Sequence, residues 1–157
     1  MATANLTDVL DTAGAQYEVL PHAHTESAAA EARALGISAA EVAKTVIVST
    51  PERYVRAVLQ AVDRIDLHKL AQLYGEPRKS VDLVSEEELA REYPEFELGA
   101  VPPFGGAHRD GVVVDRRLAE RESVALDAGS HDESIRLAMA DLLKVTNARV
   151  ADICEDE

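Results

Sequence analysis

The sequence predicts a single domain of mixed α/β structure (α+β), and three observations support this class. The 157 residues fit the usual size of about 100–200 residues per domain. Hydrophobic residues make up 46% of the chain, which is enough to build a core. Short apolar runs typical of strands occur among short helical patterns without the regular βαβ alternation of a doubly wound sheet. We therefore expect one domain over residues 1–157.

The first quarter of the chain alternates helical and strand patterns. Leu6, Val9 and Leu10 have helical spacing and precede Gly14. Ser38 and Glu41 have the spacing of a capping box, which predicts a short helix running into Lys44. The elements predicted here are a helix over 5–12, a strand over 17–21, a helix capped by Thr25 that ends at Gly36, and the short helix from Ser38.

The middle of the chain predicts a hairpin followed by two helices. Two apolar runs over 45–49 and 54–62 are separated by Pro51 and Glu52, as in a hairpin of buried strands. A helix follows that has Asp66 as its cap, Leu67, Leu70 and Leu73 on one side, and Gly75 as its end. A short strand over 80–85 and a helix from Ser85 through Tyr93 complete this part.

The last third begins with a loop rich in glycine and proline over 97–111. Short strands over 111–115 and 123–129 are bounded by turn residues. In the tail, Ile135, Leu137 and Met139 alternate like a strand, whereas Leu142 and Val145 fit a helix. We therefore predict a strand followed by a helix from Ala140.

Composition excludes several classes of protein. No apolar stretch approaches the roughly 18 residues of a membrane span, and the N-terminus lacks a secretory pattern, so we expect a cytoplasmic protein with no membrane contact. Cys154 is the only cysteine, so an internal disulfide is impossible. The 29 acids and 16 bases give a net charge of −13, which opposes binding to nucleic acid at long range.

The basic residues are concentrated in residues 44–79. This window holds seven bases and four acids, hence +3, and the rest of the chain carries −16. Its first base is Lys44, which precedes the apolar run Val46–Val48. A lysine in the last turn of a short helix is stabilised by the helix dipole. Alternatively, its ammonium lies at the rim of a cleft and binds an anionic oxygen such as a phosphate.

Other catalytic motifs have little support in the sequence. Ser130 and His131 are adjacent, so on an extended segment they point to opposite faces and do not form a nucleophile–base pair. His22 and His24 share one face of an extended segment, but no carboxylate pattern accompanies them, and we expect no metal site. The glycine motifs that bind nucleotide phosphates are absent, and we expect no cofactor.

The stretch "GAVPPFGG", Gly99 to Gly106, is the most unusual in the chain. Two prolines fix its backbone, while the flanking glycines allow a close approach to another group. One interpretation is a rigid surface loop whose Phe104 fills the core. The other is a pocket wall whose N–H groups stabilise an oxyanion.

Three motifs together resemble one known family. "VAKTVIV", "GAVPPFG" and "AGSHDESIRLAMADL" are similar, in order and spacing, to the YbaK/prolyl-tRNA-synthetase-associated editing family of INS-like aminoacyl-tRNA deacylases. The similarity extends from about Tyr17 to the end of the chain. It implies a YbaK-like fold, with a curved mixed β-sheet and packed helices.

The resemblance also implies the site residues. The essential lysine of the family falls on Lys44, and a pocket residue falls on Thr45. The remaining implied substrate-binding residues are His22, His24, Gly99, Val101, Pro103, Phe104, Gly105, Gly129, Ser130 and His131. His22 stands where some relatives carry an aromatic residue, so the amino acid selected stays open.

The activity implied by the resemblance is hydrolysis, in trans, of the ester that joins a wrong amino acid to the 3′-terminal adenosine of a tRNA. The implied partners are the acceptor end of an aminoacyl-tRNA and an aminoacyl-tRNA synthetase on which the protein docks. Two alternatives remain open at this point. One is a noncatalytic module that binds a small ligand or nucleotide, and the other is an interaction domain whose acidic face binds a basic partner.

Overall fold

The computed structural model describes residues 2–25, 27–106 and 110–156. In these ranges the chain forms six α-helices, eight β-strands and two short 3₁₀ turns. The helices are α1 (Ala2–Ala13), α2 (Ala28–Leu35), α3 (Leu67–Leu73), α4 (Glu86–Glu92), α5 (Arg116–Ala119) and α6 (Met139–Thr146). The strands are β1 (Tyr17–Pro21), β2 (Ala43–Ser49), β3 (Tyr54–Gln60), β4 (Asp82–Leu83), β5 (Gly111–Asp115), β6 (Ser123–Asp127), β7 (Glu133–Ala138) and β8 (Arg149–Ala151).

Most predicted helix ends are confirmed by their capping hydrogen bonds. The Asp66 carboxylate accepts from the backbone N–H groups of His68 and Lys69, and the Ser85 hydroxyl accepts from that of Glu88. The predicted cap of α2 is wrong. Ser27 caps this helix by accepting from the N–H of Ala30, whereas both the hydroxyl and the backbone N–H of Thr25 donate to the carbonyl of His131.

The prediction of a helix from Ser38 into Lys44 is also wrong. Ser38 caps a 3₁₀ turn over Ala39–Glu41, and the chain is extended from Val42 onward. Val42 forms a bridge with Ala125, and the backbone of the next residues pairs with β3, so strand pairing replaces the helix. Lys44 therefore lies in β2.

Two short elements were not predicted. The helix α5 begins with Arg116 and Arg117 and is capped by the Asp115 carboxylate, which accepts from the N–H of Arg117. The strand β8 has an exposed valine, Val150, at its centre. Neither segment carries the apolar spacing by which helices and strands are recognised in sequence.

The strands form two sheets. A three-stranded antiparallel sheet has the order β1-β7-β6. A five-stranded mixed sheet has the order β4-β2-β3-β5-β8, in which β2 and β3 form the predicted hairpin and β3, β5 and β8 run parallel. The parallel bridge between Val42 and Ala125 connects the two sheets.

Alternate residues of the five-stranded sheet enter two separate cores. Val58 of β3 and Val114 of β5 face one core, which α1, α6, β6 and β7 complete. Leu59 and Val113 face the other core, which contains Leu70 of α3. Burial on both faces explains why these strands read as continuous apolar runs.

The predicted loop over 97–111 has no regular structure between α4 and β5 in its described part. Its residues Ala107, His108 and Arg109 lie outside the described ranges, as does Glu26 in the segment before α2. None of the helices within the described ranges combines the length and the apolar character needed to cross a membrane.

Candidate functional site

A small hollow lies where β2 and β6 separate. The two strands share the Val42–Ala125 bridge, and beyond it residues of both strands border a space of about 50 Å³. The residues that line this hollow are Ser27, Ala28, Ala43, Lys44, Thr45, Gly99, Val101, Asp127 and His131. Four separate segments therefore meet at this position: the start of α2, the strand β2, the glycine–proline loop and the β6–β7 turn.

Two larger grooves border the hollow at Gly99. One of about 550 Å³ has mixed walls, in which the polar side chains of His24, Glu86, Glu97 and His131 alternate with Leu89 and Leu98. The other groove, of about 210 Å³, is apolar and lies beside the paired strands β2 and β4. Its lining includes Ile47, Leu83, Val84, Leu89 and Val101. Together the three spaces reach the size of ordinary small-molecule sites, and they offer one ligand both a polar and an apolar surface.

Lys44 lines the hollow, and its ammonium group is partly buried beside it, with Asp63, Arg64 and Cys154 as its electrostatic neighbours. Its Nζ donates a hydrogen bond to the Ala61 carbonyl at 3.4 Å. Burial lowers the pKa of the Lys44 ammonium, because leaving water disfavours the charged form. The explanation of Lys44 as a helix-end cation is wrong, since the preceding 3₁₀ turn ends before Val42 and Lys44 lies in a strand.

Thr45 and residues of the glycine–proline loop also line the hollow. Gly99 and Val101 line the hollow, whereas Pro103 and Phe104 are buried behind it. Phe104 packs in the core with Leu6 of α1, as the core-filling interpretation expected. The structure thus brings Gly99 and Val101 to Lys44 and Thr45, but it places Pro103, Phe104 and Gly105 outside the lining of the hollow.

A buried arginine holds this loop in place. The Arg56 guanidinium donates to the carbonyls of Pro102 and Gly105 at 2.9 and 2.8 Å, and its Nε donates to the Asp110 carboxylate at 2.8 Å. The hydroxyl of Tyr93 donates to the same carboxylate at 2.7 Å. These bonds fix carbonyl oxygens of the loop in the interior.

The N–H groups of the loop differ in whether they are hydrogen-bonded within the protein. The N–H of Ala100 donates to the carbonyl of Glu97 at 3.0 Å. Within the described residues, no protein acceptor meets the N–H groups of Gly99 and Val101, which belong to residues that line the hollow. Free backbone N–H groups beside a hollow are the donors from which an oxyanion hole is built.

His131 ties the β6–β7 turn to the loop. Its Nε2 lies 2.7 Å from the carbonyl oxygen of Leu98, and since a carbonyl only accepts, Nε2 carries the proton. His24 stacks edge-on against the His131 ring at 5.4 Å and contacts Asp132 at 2.9 Å. These two histidines therefore form one wall of the mixed groove.

The other residues of the predicted site lie further out. His22 bonds to the Ala23 carbonyl and to the Ser134 hydroxyl, at 2.7 and 2.9 Å, and does not line the hollow. The Ser130 hydroxyl accepts the N–H of Asp132 within the turn, which Gly129 makes possible with a φ of 87°.

A pair of neighbouring carboxyls, one buried and one partly buried, was missed by the sequence reasoning. Asp127 lines the hollow, and Glu31 of α2 is fully buried beside it. Burial, followed by the charge of Glu31, raises the pKa of Asp127 to about 8. Glu31 stands in the alanine-rich segment of α2, where a glutamate looks like an ordinary helix former, so the sequence carries no signal of its contact with Asp127.

Within the described ranges, none of the histidines belongs to a cluster of candidate metal ligands. In the described ranges, the one group of candidate ligands is Asp63, Asp115 and Cys154, whose ligating atoms lie within 4.8 Å of one another. Both oxygens of Asp115 already accept backbone N–H groups. Burial raises the pKa of the Cys154 thiol to about 12, so the thiol keeps its proton and this group is a poor metal ligand.

Another groove lies at the other end of β2. It has a volume of about 490 Å³ and is lined by residues that include Arg53, Tyr74 and Arg149. None of the predicted site residues lines it. The predicted lysine, glycine–proline and histidine motifs instead converge on the hollow between β2 and β6.

Comparison with known proteins identifies the family of this chain. The sequence model of the aminoacyl-tRNA editing domain matches residues 22–145. The chain belongs to the aminoacyl-tRNA editing domain family. Its relatives include the uncharacterized protein YwhH of Bacillus subtilis (strain 168), which is 30% identical over 136 residues, or 84% of each chain.

Solved structures share the whole fold of this editing domain. The hypothetical protein APE2540 superposes with a TM-score of 0.88 at 26% identity and covers 96% of this chain and 99% of its own. A candidate trans-editing enzyme for prolyl tRNA synthetase superposes with a TM-score of 0.86 at 25% identity, covering 99% and 98%. The YbaK-like α/β fold expected from the motifs is thereby confirmed.

Proposed function

We propose that this protein is an aminoacyl-tRNA deacylase that acts in trans, in the cytoplasm, on mischarged tRNA. The observation that carries the proposal is that Lys44, Gly99 and Val101, which come from two distant motifs, line one hollow. Membership of the editing family gives this hollow its substrate class, an amino acid esterified to the terminal adenosine of a tRNA. The reaction is hydrolysis of that ester.

Lys44 is the residue that we assign to the terminal phosphates of the substrate. Its ammonium is held by one hydrogen bond of 3.4 Å to a carbonyl, which is easily exchanged for a charge-assisted bond to a phosphate oxygen. Its partial burial strengthens such an ion pair, because electrostatic interactions are screened less away from bulk water.

The N–H groups of Gly99 and Val101 are assigned to the carbonyl oxygen of the ester. They would stabilise the negative charge of that oxygen as the carbon becomes tetrahedral, and one such donor contributes about 10²–10³-fold to kcat in other acyl-transfer enzymes. A water molecule, assisted by the neighbouring ribose hydroxyl or by the substrate itself, attacks the carbonyl carbon. Ser130 and His131 direct their hydrogen bonds elsewhere and do not act as nucleophile and base.

We extend the proposal to a synthetase as the docking partner. The structural neighbour with a TM-score of 0.86 is a candidate trans-editing enzyme for prolyl tRNA synthetase. A net charge of −13 opposes tight binding of free tRNA. Contact with a synthetase would deliver the acceptor end without requiring a large basic surface.

The proposal is tested by release of labelled amino acids from a panel of mischarged tRNAs. We expect wild-type protein to release at least one of alanine, cysteine, serine and threonine, and Lys44→Ala to lose this activity at an unchanged melting temperature. Lys44→Arg keeps the positive charge but changes the shape of the side chain, so its activity shows whether the charge alone is sufficient. No release by the wild type, or equal release by wild type and Lys44→Ala, would contradict the proposal.

A further inference from the structure

We propose that Asp127 is the general acid of the hollow and that Glu31, Ser134 and His22 form a proton relay that connects it to solvent. This inference rests on the proposed deacylase function. The leaving ribose oxygen needs a proton, and the proposed function assigns its donor neither to Lys44 nor to the loop N–H groups. This inference assigns Asp127 as that donor.

The two carboxyls are in contact and must share a proton. Asp127 of β6 is the cross-strand partner of Ser134 of β7, so both side chains stand on one face of the sheet. Glu31 enters from α2 with 1% of its surface exposed, and its carboxyl accepts a hydrogen bond from the Ser134 hydroxyl. Its carboxyl is also close enough to that of Asp127 for each group to shift the pKa of the other. Two ionised carboxylates cannot share such a contact, so one of them is protonated.

The unmatched oxygen of Glu31 supports the same assignment. Its Oε2 accepts from the Ser134 hydroxyl, whereas its buried Oε1 has no N–H or O–H donor among the described residues. A proton held between Glu31 and Asp127 would satisfy this oxygen without any further donor.

The hydrogen bonds of His22 require a proton that can move along the relay formed by Glu31, Ser134 and His22. Its Nδ1 faces the Ala23 carbonyl and therefore carries a proton, while its Nε2 lies 2.9 Å from the Ser134 oxygen. Ser134 has one hydroxyl proton. If Ser134 donates it to Glu31, His22 must be doubly protonated; if Ser134 donates it to His22, Glu31 must carry the proton. One proton thus passes between partly exposed His22 and buried Glu31 when the Ser134 hydroxyl accepts a proton from one of them and gives its own to the other.

The surroundings keep Asp127 protonated near neutral pH. Its pKa is raised to about 8, first by burial and then by Glu31 of α2 and by Glu97 of the loop. The remaining charged or titratable groups around the pair are His22, His131 and Lys44. The Lys44 ammonium is directed to the Ala61 carbonyl and does not pair with Asp127. A general acid works best with a pKa near the working pH.

The reaction balances with this acid. Water adds to the ester carbon and forms a C–O bond; the bond from that carbon to the ribose oxygen then breaks. Asp127 gives its proton to the ribose oxygen, and the proton lost by the attacking water returns to the Asp127 carboxylate, directly or through His22, Ser134 and Glu31. The products are the free amino acid and tRNA with a free hydroxyl.

The test is the pH profile of kcat over about pH 6 to 9.5, corrected for spontaneous ester hydrolysis. In the wild type kcat should fall above about pH 8, as Asp127 loses its proton. Asp127→Asn should lower kcat about 100-fold or more and remove this fall. Glu31→Gln should move the fall to lower pH, because the variant removes the neighbouring charge that holds the proton on Asp127. Glu120→Gln, an equal change at the exposed end of α5, should leave the profile unchanged.

A second readout needs no activity. Because the pKa values of Asp127 and Glu31 are raised on folding, their stabilising contribution is fully present at low pH and is lost as pH rises through the folded pKa, about 8 for Asp127. The melting temperature of the wild type should therefore decrease relative to Glu31→Gln as pH rises from about 4, where the unfolded carboxyls titrate, to about 8, and the difference should level off above pH 8. An unchanged difference, or Asp127→Asn within twofold of an active wild type at every pH, would overturn this inference alone. An inactive wild type would overturn the proposed function as well.

Discussion

Arg56 is a buried cation on which the shape of the glycine–proline loop depends. Its side chain is 2% exposed, and that of its partner Asp110 is 4% exposed. Arg56 lies in the window over residues 44–79, whose net charge of +3 suggested an exposed basic surface. Its partner lies 54 positions away, so the sequence could not show that this charge is internal. Lys44 is different, since its placement beside the loop agrees with the motif that singled it out.

We expect Arg56→Met to lower the free energy of unfolding by about 3–5 kcal/mol, because it leaves the Asp110 carboxylate buried without its charged partner. Arg56→Lys should cost less, since an ammonium can keep one of the three contacts. Urea denaturation measures both. Arg53→Met, an exposed arginine on the same hairpin, should change stability by no more than about 0.5 kcal/mol. A value for Arg56→Met as small as that of the control would show that the ion pair does not hold the loop.

At the scale of elements, Gly99 and Gly105 of the glycine–proline loop have different structural roles. Gly99 has a φ of 82°, and a Cβ there would lie 3.7 Å from the His131 ring, in ordinary contact. Gly105 has a φ of 85°, and a Cβ there would lie 2.4 Å from the Leu6 side chain of α1. Gly99 therefore shapes the hollow, while Gly105 allows the loop to pack on α1.

We expect Gly99→Ala and Gly105→Ala both to carry about 1–2 kcal/mol of backbone strain. Gly105→Ala should add about 1–3 kcal/mol because it overpacks the core. Gly99→Ala should lose more deacylase activity, because its methyl group borders the hollow. Thermal melts and single-turnover deacylation separate the two effects. The opposite order, with Gly99→Ala the less stable and more active variant, would contradict this division.

Elements were predictable from sequence where local chemistry decides them. Asp66 and Ser85 cap their helices as predicted, because a cap depends on a few neighbouring residues. Thr25 and the segment from Ser38 to Lys44 were assigned incorrectly, because distant partners decide their conformation. Thr25 bonds to His131, and Val42 bridges to Ala125.

At the scale of the whole molecule, the sequence predicted the class of fold but not the arrangement of its sheets. The hollow exists because two sheets share a bridge at Val42 and Ala125, residues that are 83 positions apart and carry no polar group. Two of the seven bases in the window over 44–79 are also paired with acids: Arg56 with Asp110 in the interior, and the partly exposed Lys69 with Asp152 and Asp156 at the surface. Binding should therefore depend on the tip of the acceptor stem more than on a broad basic surface.

The most direct test of the central claim is an NMR titration with an adenosine whose 3′ oxygen is replaced by nitrogen, so that the amino acid is joined by an amide that resists hydrolysis. We predict that backbone amide shifts change at Thr45, Gly99, Val101 and His131 at ligand concentrations up to about 1 mM. The same titration of Lys44→Ala should require more ligand. Changes confined to the groove at Arg53, Tyr74 and Arg149, or no changes at all, would show that the hollow between β2 and β6 is not the site of the aminoacyl end.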